Sequence, residues 1–294
     1  MSGSRAVSAF LATLLLSAGP LRDSVAQEAK ADPPKPRAFA RHVPERFDDV
    51  AWENDRIAFR LYGPALEEHQ KTGSGIDVWS KSTRALVINR WYASTSYHKD
   101  NGEGLDFYSV NEGRGCGGLG VWNGKSLDVS RVWASHKILE SGPDRAAIEL
   151  TYAPWTSGDR KVWETRKITL EAGSNLNRFV STIDGDKPGE LIVGVGISRR
   201  AGDAWILDKA RGLLSSREPK PGPNGTIACG VLVDPASLVD FVETPSDRLA
   251  LIRVKPGKPF VYYAGAGWSK SGDFPTAESW ERYLRNYPTR FSAE

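Results

Sequence analysis

The chain has 294 residues, 40% of them hydrophobic, with ten tryptophans, which is ample material for one large core or two small ones. Basic and acidic residues number 39 and 36, leaving a formal charge of +3 with both signs interspersed along the chain. No basic patch or charged tail stands out, so the composition argues against a nucleic-acid partner.

At the N-terminus, Arg5 precedes an apolar run from Ala6 to Ala18, and Ser24-Val25-Ala26 follows. That small-x-small end suits cleavage after Ala26, and the run is too short to span a bilayer. Residues 1–26 therefore read as a signal peptide, with no membrane anchor, and the mature protein as periplasmic or secreted. Residues 27–45, rich in Pro, Ala and Lys at their start, read as a disordered leader. Residues 46–294 read as a single domain.

Within that domain, alternating or β-branched segments recur: Arg56–Tyr62, Ala147–Tyr152, Val162–Leu170, Asn177–Ile183, Leu191–Ile197, Ile227–Val233, Leu249–Val254 and Pro259–Ala264. In IELTY, Ile148, Leu150 and Tyr152 take one face of a strand while Glu149 and Thr151 take the other. Turn sequences such as SGPD, EAGSN and KPGKP separate these runs. Helical signals are few. Pro64 in the first-turn position and Gly73 as a stop predict a two-turn helix. Near the end, Thr276 can cap a helix whose Trp280, Tyr283, Leu284 and Tyr287 share one face. Many short strands without β-α alternation predict an all-β fold, a large antiparallel β-sandwich with few short helices.

Two cysteines, Cys116 and Cys229, either pair across the fold in an oxidising compartment or remain buried thiols. Gly113 to Gly120, GRGCGGLG, contains the string of a dinucleotide site, but VWNGKSLDVS after it reads as strand and turn rather than helix. Its glycines point to a close approach of backbone to another strand or a ligand. No zinc-protease, zinc-finger or serine-hydrolase motif is present. Among the tryptophans, Trp52, Trp79, Trp163 and Trp205 are expected in the core, and Trp155 and Trp268 in loops that stack on a ligand.

The stretch YHKDNGEGLDFY, Tyr97 to Tyr108, gathers a histidine, a lysine, carboxylates and tyrosines around Asn101-Gly102. A regular two-residue hairpin would oppose Asp100 and Glu103, two like charges, and split His98 from Tyr108. Gly102 and Gly104 also permit an irregular loop in which both faces converge. His, Lys and Tyr side chains together form a proton-transfer set: a base at carbon, an acid at a leaving oxygen and a cation for the charge between. A polar turn with satisfied hydrogen bonds is the plain alternative.

Four ordered blocks carry a resemblance: NDRIAFRLYGPAL, SGIDVWSK, YHKDNGEGLDFY with GCGGLGVWNGK, and ITLEAGSNLNRF. Together they resemble the domain-of-unknown-function 4861 family over roughly residues 47 to 290. The resemblance implies an exported bacterial protein of a polysaccharide-utilisation locus, with a galactose-mutarotase-like supersandwich that acts on carbohydrate. Asn101 stands where the family pattern has a histidine or similar residue.

The resulting expectation is an enzyme that acts by β-elimination, as lyase or dehydratase, on ulvan- or pectin-type oligosaccharides containing uronic acid. His98 is the expected base and Tyr108 the acid, with Lys99 as a neighbouring cation. Arg60 and Arg114 are expected to neutralise the substrate carboxylate, and Trp155 and Trp268 to stack on sugar. Asp100, Glu103 and Asp106 are the tentative ligands of a divalent cation such as Ca2+. The alternatives are hydrolysis by paired carboxylates such as Asp100 with Glu103 or Asp106, and a non-catalytic carbohydrate-binding protein. The oligomeric state is left open.

Overall fold

Apolar side chains alternating with polar ones, interrupted by Gly- and Pro-containing turns, produce eighteen short strands and little helix among the described residues. A computed structural model describes residues 35–69, 73–94, 96–218 and 222–293, together with Met1 and Gly3. Apart from Met1 and Gly3, the expected signal peptide and residues 27–34 of the leader lie outside the described residues. The leader is shorter than expected, because AFARHV alternates and forms a strand, with Ala38, Ala40 and Val43 buried.

Strands β1 (Ala38–Val43), β2 (Asp49–Asn54), β3 (Ile57–Leu61), β4 (Asp77–Lys81) and β5 (Gly104–Asp106) form an antiparallel sheet in sequential order. Helix α1 (Ile88–Tyr92) lies between β4 and β5 in the chain. The chain continues through β6 (Cys116–Trp122), β7 (Leu127–Asp128), β8 (Ser135–Ser141), β9 (Arg145–Ser157), β10 (Arg160–Glu171), β11 (Leu176–Gly185) and β12 (Leu191–Ser198). It ends with β13 (Ala204–Asp208), β14 (Leu213–Arg217), β15 (Ile227–Val233), β16 (Leu238–Glu243), β17 (Asp247–Val254), β18 (Pro259–Trp268) and α2 (Ala277–Asn286). An eight-stranded sheet runs β13-β14-β15-β18-β11-β10-β9-β8, and a second five-stranded sheet runs β16-β17-β12-β6-β7.

One apolar cluster takes side chains from all three sheets: Trp52 and Phe59 from the first, Phe179 and Tyr262 from the eight-stranded, Leu119 and Val195 from the third. This is the antiparallel sandwich that alternation implies, with inward faces interdigitating. All eight strands expected from periodicity form, and the third sheet adds β6, which begins in the glycine-rich stretch, and β7 after it. Helix α2 starts at Thr276, whose side chain accepts from Ser279 N at 3.2 Å. It buries Trp280 and Leu284 against Leu213, Leu232, Val261 and Tyr263 of the eight-stranded sheet. The helix expected from Pro64 is instead a 3-10 segment, Pro64–Glu68. Gly63 offers no capping side chain there, and so short a helix is marginal without packing. Among the described residues, no helix is long and apolar enough to cross a membrane.

Candidate functional site

Charge is concentrated on one face of the first sheet. The register pairs Ala51 with Arg60, Arg60 with Asp77 and Trp79 with Asp106. With a side-chain period of two, Asp49, Glu53, Arg60, Asp77, Trp79, Lys81 and Asp106 therefore share that face. Val50, Trp52, Phe59, Val78 and Leu105 point the other way into the core. A polar face of this kind ordinarily meets water. Here α1 and its flanks cover it, packing Val87, Ile88 and Trp91 on Ala51, Ala58 and Trp79. Tyr92 and Tyr97 add their rings, 4.9 and 5.2 Å from that of Trp79.

Glu53 fastens the cover. Its carboxylate accepts from Val87 N and Ile88 N, both at 2.8 Å, at the start of α1, and from Lys81 Nζ at 2.7 Å. Lys81 also donates to Asn54 O at 2.6 Å. Both charges are fully buried, and burial lowers the Lys81 pKa despite the nearby Glu53. Such a pair holds only because every polar atom is matched.

Beside it, three carboxylates surround Arg60. Its Nε donates to Asp77 Oδ2 at 2.9 Å, and its Nη2 donates to the same oxygen and to Asp106 Oδ2 at 3.0 Å. Nη1 is buried without a hydrogen-bond partner, 3.9 Å from Asp49 Oδ2. The guanidinium is centred 5.0 Å from the Tyr62 ring and 5.3 Å from that of Trp79. One cation faces three buried acids, and burial raises the pKa of each carboxyl. Burial raises the Asp49 pKa to about 6, with Arg60 offsetting part. Burial likewise lifts Asp77, and lifts Asp106 with the Asp77 charge adding to it. Burial opposes the charge on Arg60, yet Asp77 and Asp106 hold its pKa well above its ordinary range. The phenols of Tyr62 and Tyr92 are pushed up by burial, so they act as donors; Tyr92 Oη donates to Asp49 Oδ2 at 3.1 Å.

The stretch from Tyr97 runs beside this cluster and contributes Asp106 to it. It is an irregular loop, not a regular hairpin: only Gly104–Asp106 is strand, and it pairs with β4. Gly104 has a φ of +118°, and a Cβ there would stand 2.0 Å from Ser80 O. Asp100 turns inward on its own loop, accepting from Gly102 N at 2.9 Å and Gly104 N at 3.2 Å. Glu103 is held by Arg90 at 2.7 Å. His98 alone reaches the buried acids. Its Nδ1 lies 3.0 Å from Asp106 O and 3.5 Å from Asp106 Oδ2, while its side chain is 59% exposed. A carbonyl oxygen only accepts, so this bond places the proton on Nδ1 and leaves the Nε2 lone pair free.

The remaining sequence candidates are placed differently. Tyr108 is buried in the core and donates to Gly115 O at 2.9 Å; burial holds its pKa well above the ordinary range, so it is not an accessible acid beside His98. Lys99 is exposed in the same loop as His98. Arg60 is committed to the protein's own acids, which takes it from the role of binding a substrate carboxylate. Arg114 is buried in the turn before β6, donating from Nη1 to Ser74 Oγ at 3.1 Å, with its pKa lowered by burial. Trp155 and Trp268 belong to the core, because both fall on strands, β9 and β18, and not on loops. Trp163 and Trp205, expected inside, are 38% and 43% exposed, since they occupy the outward phase of β10 and of the edge strand β13. Asp100, Glu103 and Asp106 engage separate partners. Among the described residues, no group of three His, Cys, Asp or Glu side chains is arranged to hold a metal ion.

Sequence reasoning missed Asp49, Asp77, Tyr92, Tyr97 and Arg46. Tyr97 sets its ring 4.3 Å from that of His98. Arg46 is half-buried, and its charge reaches both Asp49 and Asp106. A surface cavity of about 660 Å³ against α2 competes as a site. Its Tyr283 and Tyr287 hydroxyls are already bonded to Asn175 N and Ser174 Oγ, its Asp273 is bridged by Arg56 and Arg84, and it contains no histidine.

The chain belongs to the family described as "Domain of unknown function (DUF4861)", which it matches over residues 20–293. It is 32% identical over 273 residues to the Formosa agariphila protein called "Uncharacterized protein P7", covering 86% of this chain and 68% of that one. Among solved structures it is similar to a mutant of heparan sulfate lyase HepC from Pedobacter heparinus, with 12% identity and a TM-score of 0.42. It is also similar to the GH36 α-galactosidase AgaA from Geobacillus stearothermophilus, with 9% identity and a TM-score of 0.35. The matches cover 78% and 72% of this chain but only 36% and 40% of those chains, and carry no weight for function.

Proposed function

We propose that the protein is a carbohydrate-active enzyme that eliminates across a C–O bond of a uronic-acid-containing oligosaccharide, of ulvan or pectin type, as lyase or dehydratase. The observation that carries this reading is His98: its Nδ1 is held on Asp106 and its Nε2 faces outward with a free lone pair. An imidazole so held is a general base in the correct tautomer. Nε2 takes the proton from the carbon beside the uronate carboxylate, and the imidazolium that results has the Asp106 carboxyl 3.5 Å away. Arg46, whose charge reaches Asp106, and Lys99, the residue after His98, neutralise the carboxylate as enolate charge develops. Tyr97, packed on His98, gives its hydroxyl proton to the departing oxygen. The C–H and C–O bonds break, a C=C bond forms, the proton on His98 returns to solvent, and the Tyr97 phenolate takes one back from it. Asp100 and Glu103 are bound to backbone N–H groups and to Arg90, which favours elimination over hydrolysis by that pair.

The test incubates the protein with ulvan and pectin oligosaccharides and follows the ultraviolet absorbance of a conjugated unsaturated uronate. Wild-type protein generates it, and His98→Ala loses roughly 100-fold or more. Undiminished turnover in His98→Ala refutes the assignment of the base. Reducing-end release without absorbance means hydrolysis, and binding without any product means a binding module.

A further inference from the structure

The two cysteines lie in the core, outside the residues of this site, and their surroundings are unusual. Facing sheets ordinarily stand about 10 Å apart, a separation filled by side chains. Where β6 of the third sheet faces β15 and β18 of the eight-stranded sheet, glycines remove that filling. A Cβ on Gly117 would lie 2.2 Å from the Cβ of Ala264, so backbone there meets side chain directly. Gly117 sits at a register shift with a φ of +96°, and Tyr262 Oη donates to its carbonyl at 3.0 Å from the facing sheet. Cys116, its neighbour, donates from Sγ across the gap to Gly265 O at 3.0 Å. Gly265 pairs with Gly230, the residue after Cys229. Cys229 lies close enough to Cys116 and to Tyr108 to raise the pKa of both. Both cysteines are free and buried in the same apolar cluster.

The geometry points to Cys116 and Cys229 as a disulfide site that staples the third sheet to the eight-stranded sheet when the chain folds in the presence of a disulfide oxidant. With oxidised glutathione, one cysteine thiolate attacks the glutathione disulfide and releases one glutathione. The second thiolate then displaces the other glutathione and closes the protein S–S bond. The two cysteines lose two protons and two electrons, and one glutathione disulfide becomes two glutathione thiols. The reaction belongs to folding, not to the native state. In the closed fold both sulfurs are shielded, and burial with the Cys229 contact holds the Cys116 pKa well above its ordinary range, which suppresses the thiolate. The bond closes a loop of more than 100 residues, which restricts the unfolded chain most strongly.

The test refolds reduced, denatured protein in a glutathione redox buffer, then alkylates it in denaturant without reductant. Expected is a monomer that takes up no alkylating group, has lost the mass of two hydrogen atoms, and yields one linked peptide containing both cysteines on proteolysis. Its thermal midpoint should exceed that of the reduced protein by about 10 °C. Folded, reduced protein placed in the same buffer should keep both thiols. Two alkylated cysteines after oxidative refolding, or stable glutathione adducts at either, would overturn the assignment. Cys116→Ser and Cys229→Ser each leave one thiol that alkylates. The linked peptide decides the matter on wild-type protein even if those variants fold poorly.

Discussion

Replacing Asp49 by Asn tests whether the Arg60 cluster carries more negative charge than the fold prefers. Asp49 is almost fully buried, and burial raises its pKa from 3.8 to about 6, with Arg60, Arg46 and the Tyr92 hydrogen bond only partly compensating. The folded state therefore binds this proton more tightly than the unfolded chain. The resulting stabilisation is complete below the unfolded value and is lost as the pH rises through the folded one. About two pKa units at 1.36 kcal/mol each make this loss roughly 3 kcal/mol. An asparagine does not ionise. Its carbonyl can still accept from Gly63 N, as Asp49 Oδ1 does at 3.3 Å, but the second oxygen that receives the Tyr92 hydroxyl is gone. Asp49→Asn should therefore be less stable than wild type by ~1 kcal/mol near pH ~4. It should gain on wild type by roughly 3 kcal/mol as the pH approaches ~7, so the two stability curves cross. Urea unfolding followed by tryptophan fluorescence across that range gives the difference directly, and groups unaffected by the substitution cancel. A wild-type-minus-variant difference that stays flat with pH would refute the account of the cluster as charge-frustrated.

Lys81→Met strands the Glu53 carboxylate without its cation and should cost about 3–5 kcal/mol in urea unfolding, with Lys81→Met/Glu53→Gln recovering part of it. Trp155→Ala and Trp268→Ala should each cost about 3–5 kcal/mol in thermal or urea melts, as core truncations do. Trp163→Ala and Trp205→Ala, on exposed strand faces, should stay within about 1 kcal/mol of wild type. Thr276→Ala removes the α2 cap and should cost about 1 kcal/mol, while Thr276→Ser retains most of the stability.

The β-sandwich was legible because its signal is local. Alternation and turns marked eight strands, and Thr276 with its apolar stripe marked α2. Two of the strands that escaped have other textures. In β2, DVAWEN is buried on both faces, and β5 is only three residues long, too short for periodicity to register. Of the site, His98 and Asp106 were legible as a chemical grouping, since a glycine-punctuated stretch rich in His, Lys and Asp is a poor regular hairpin. Trp155 and Trp268 were misplaced because a tryptophan near a turn looks the same whether its ring faces solvent or core. Here each indole N–H finds a backbone carbonyl inside, Asp128 O and Asn224 O.

The acids that surround Arg60 beside Asp106, and the Glu53–Lys81 pair, were not legible, for a reason that lies in the fold itself. Asp49 and Glu53 on β2, and Asp77 and Lys81 on β4, recur at a spacing of four, with Arg60 between them on β3, which local sequence assigns to a solvated strand face. What turns that face into an interior is α1, five residues with no side-chain cap, too short to be read from sequence as a helix. Its stability comes from contacts distant in sequence: Glu53 on its first N–H groups, and Trp91 and Tyr92 on Trp79. Helix and charges are therefore interdependent. The helix forms because Glu53 holds its N-terminus, and the acids are buried and paired because the helix excludes water from them. His98, at the edge of that cover, is then oriented by the Asp106 carbonyl, so loosening α1 through Lys81 should weaken the site as well as the fold.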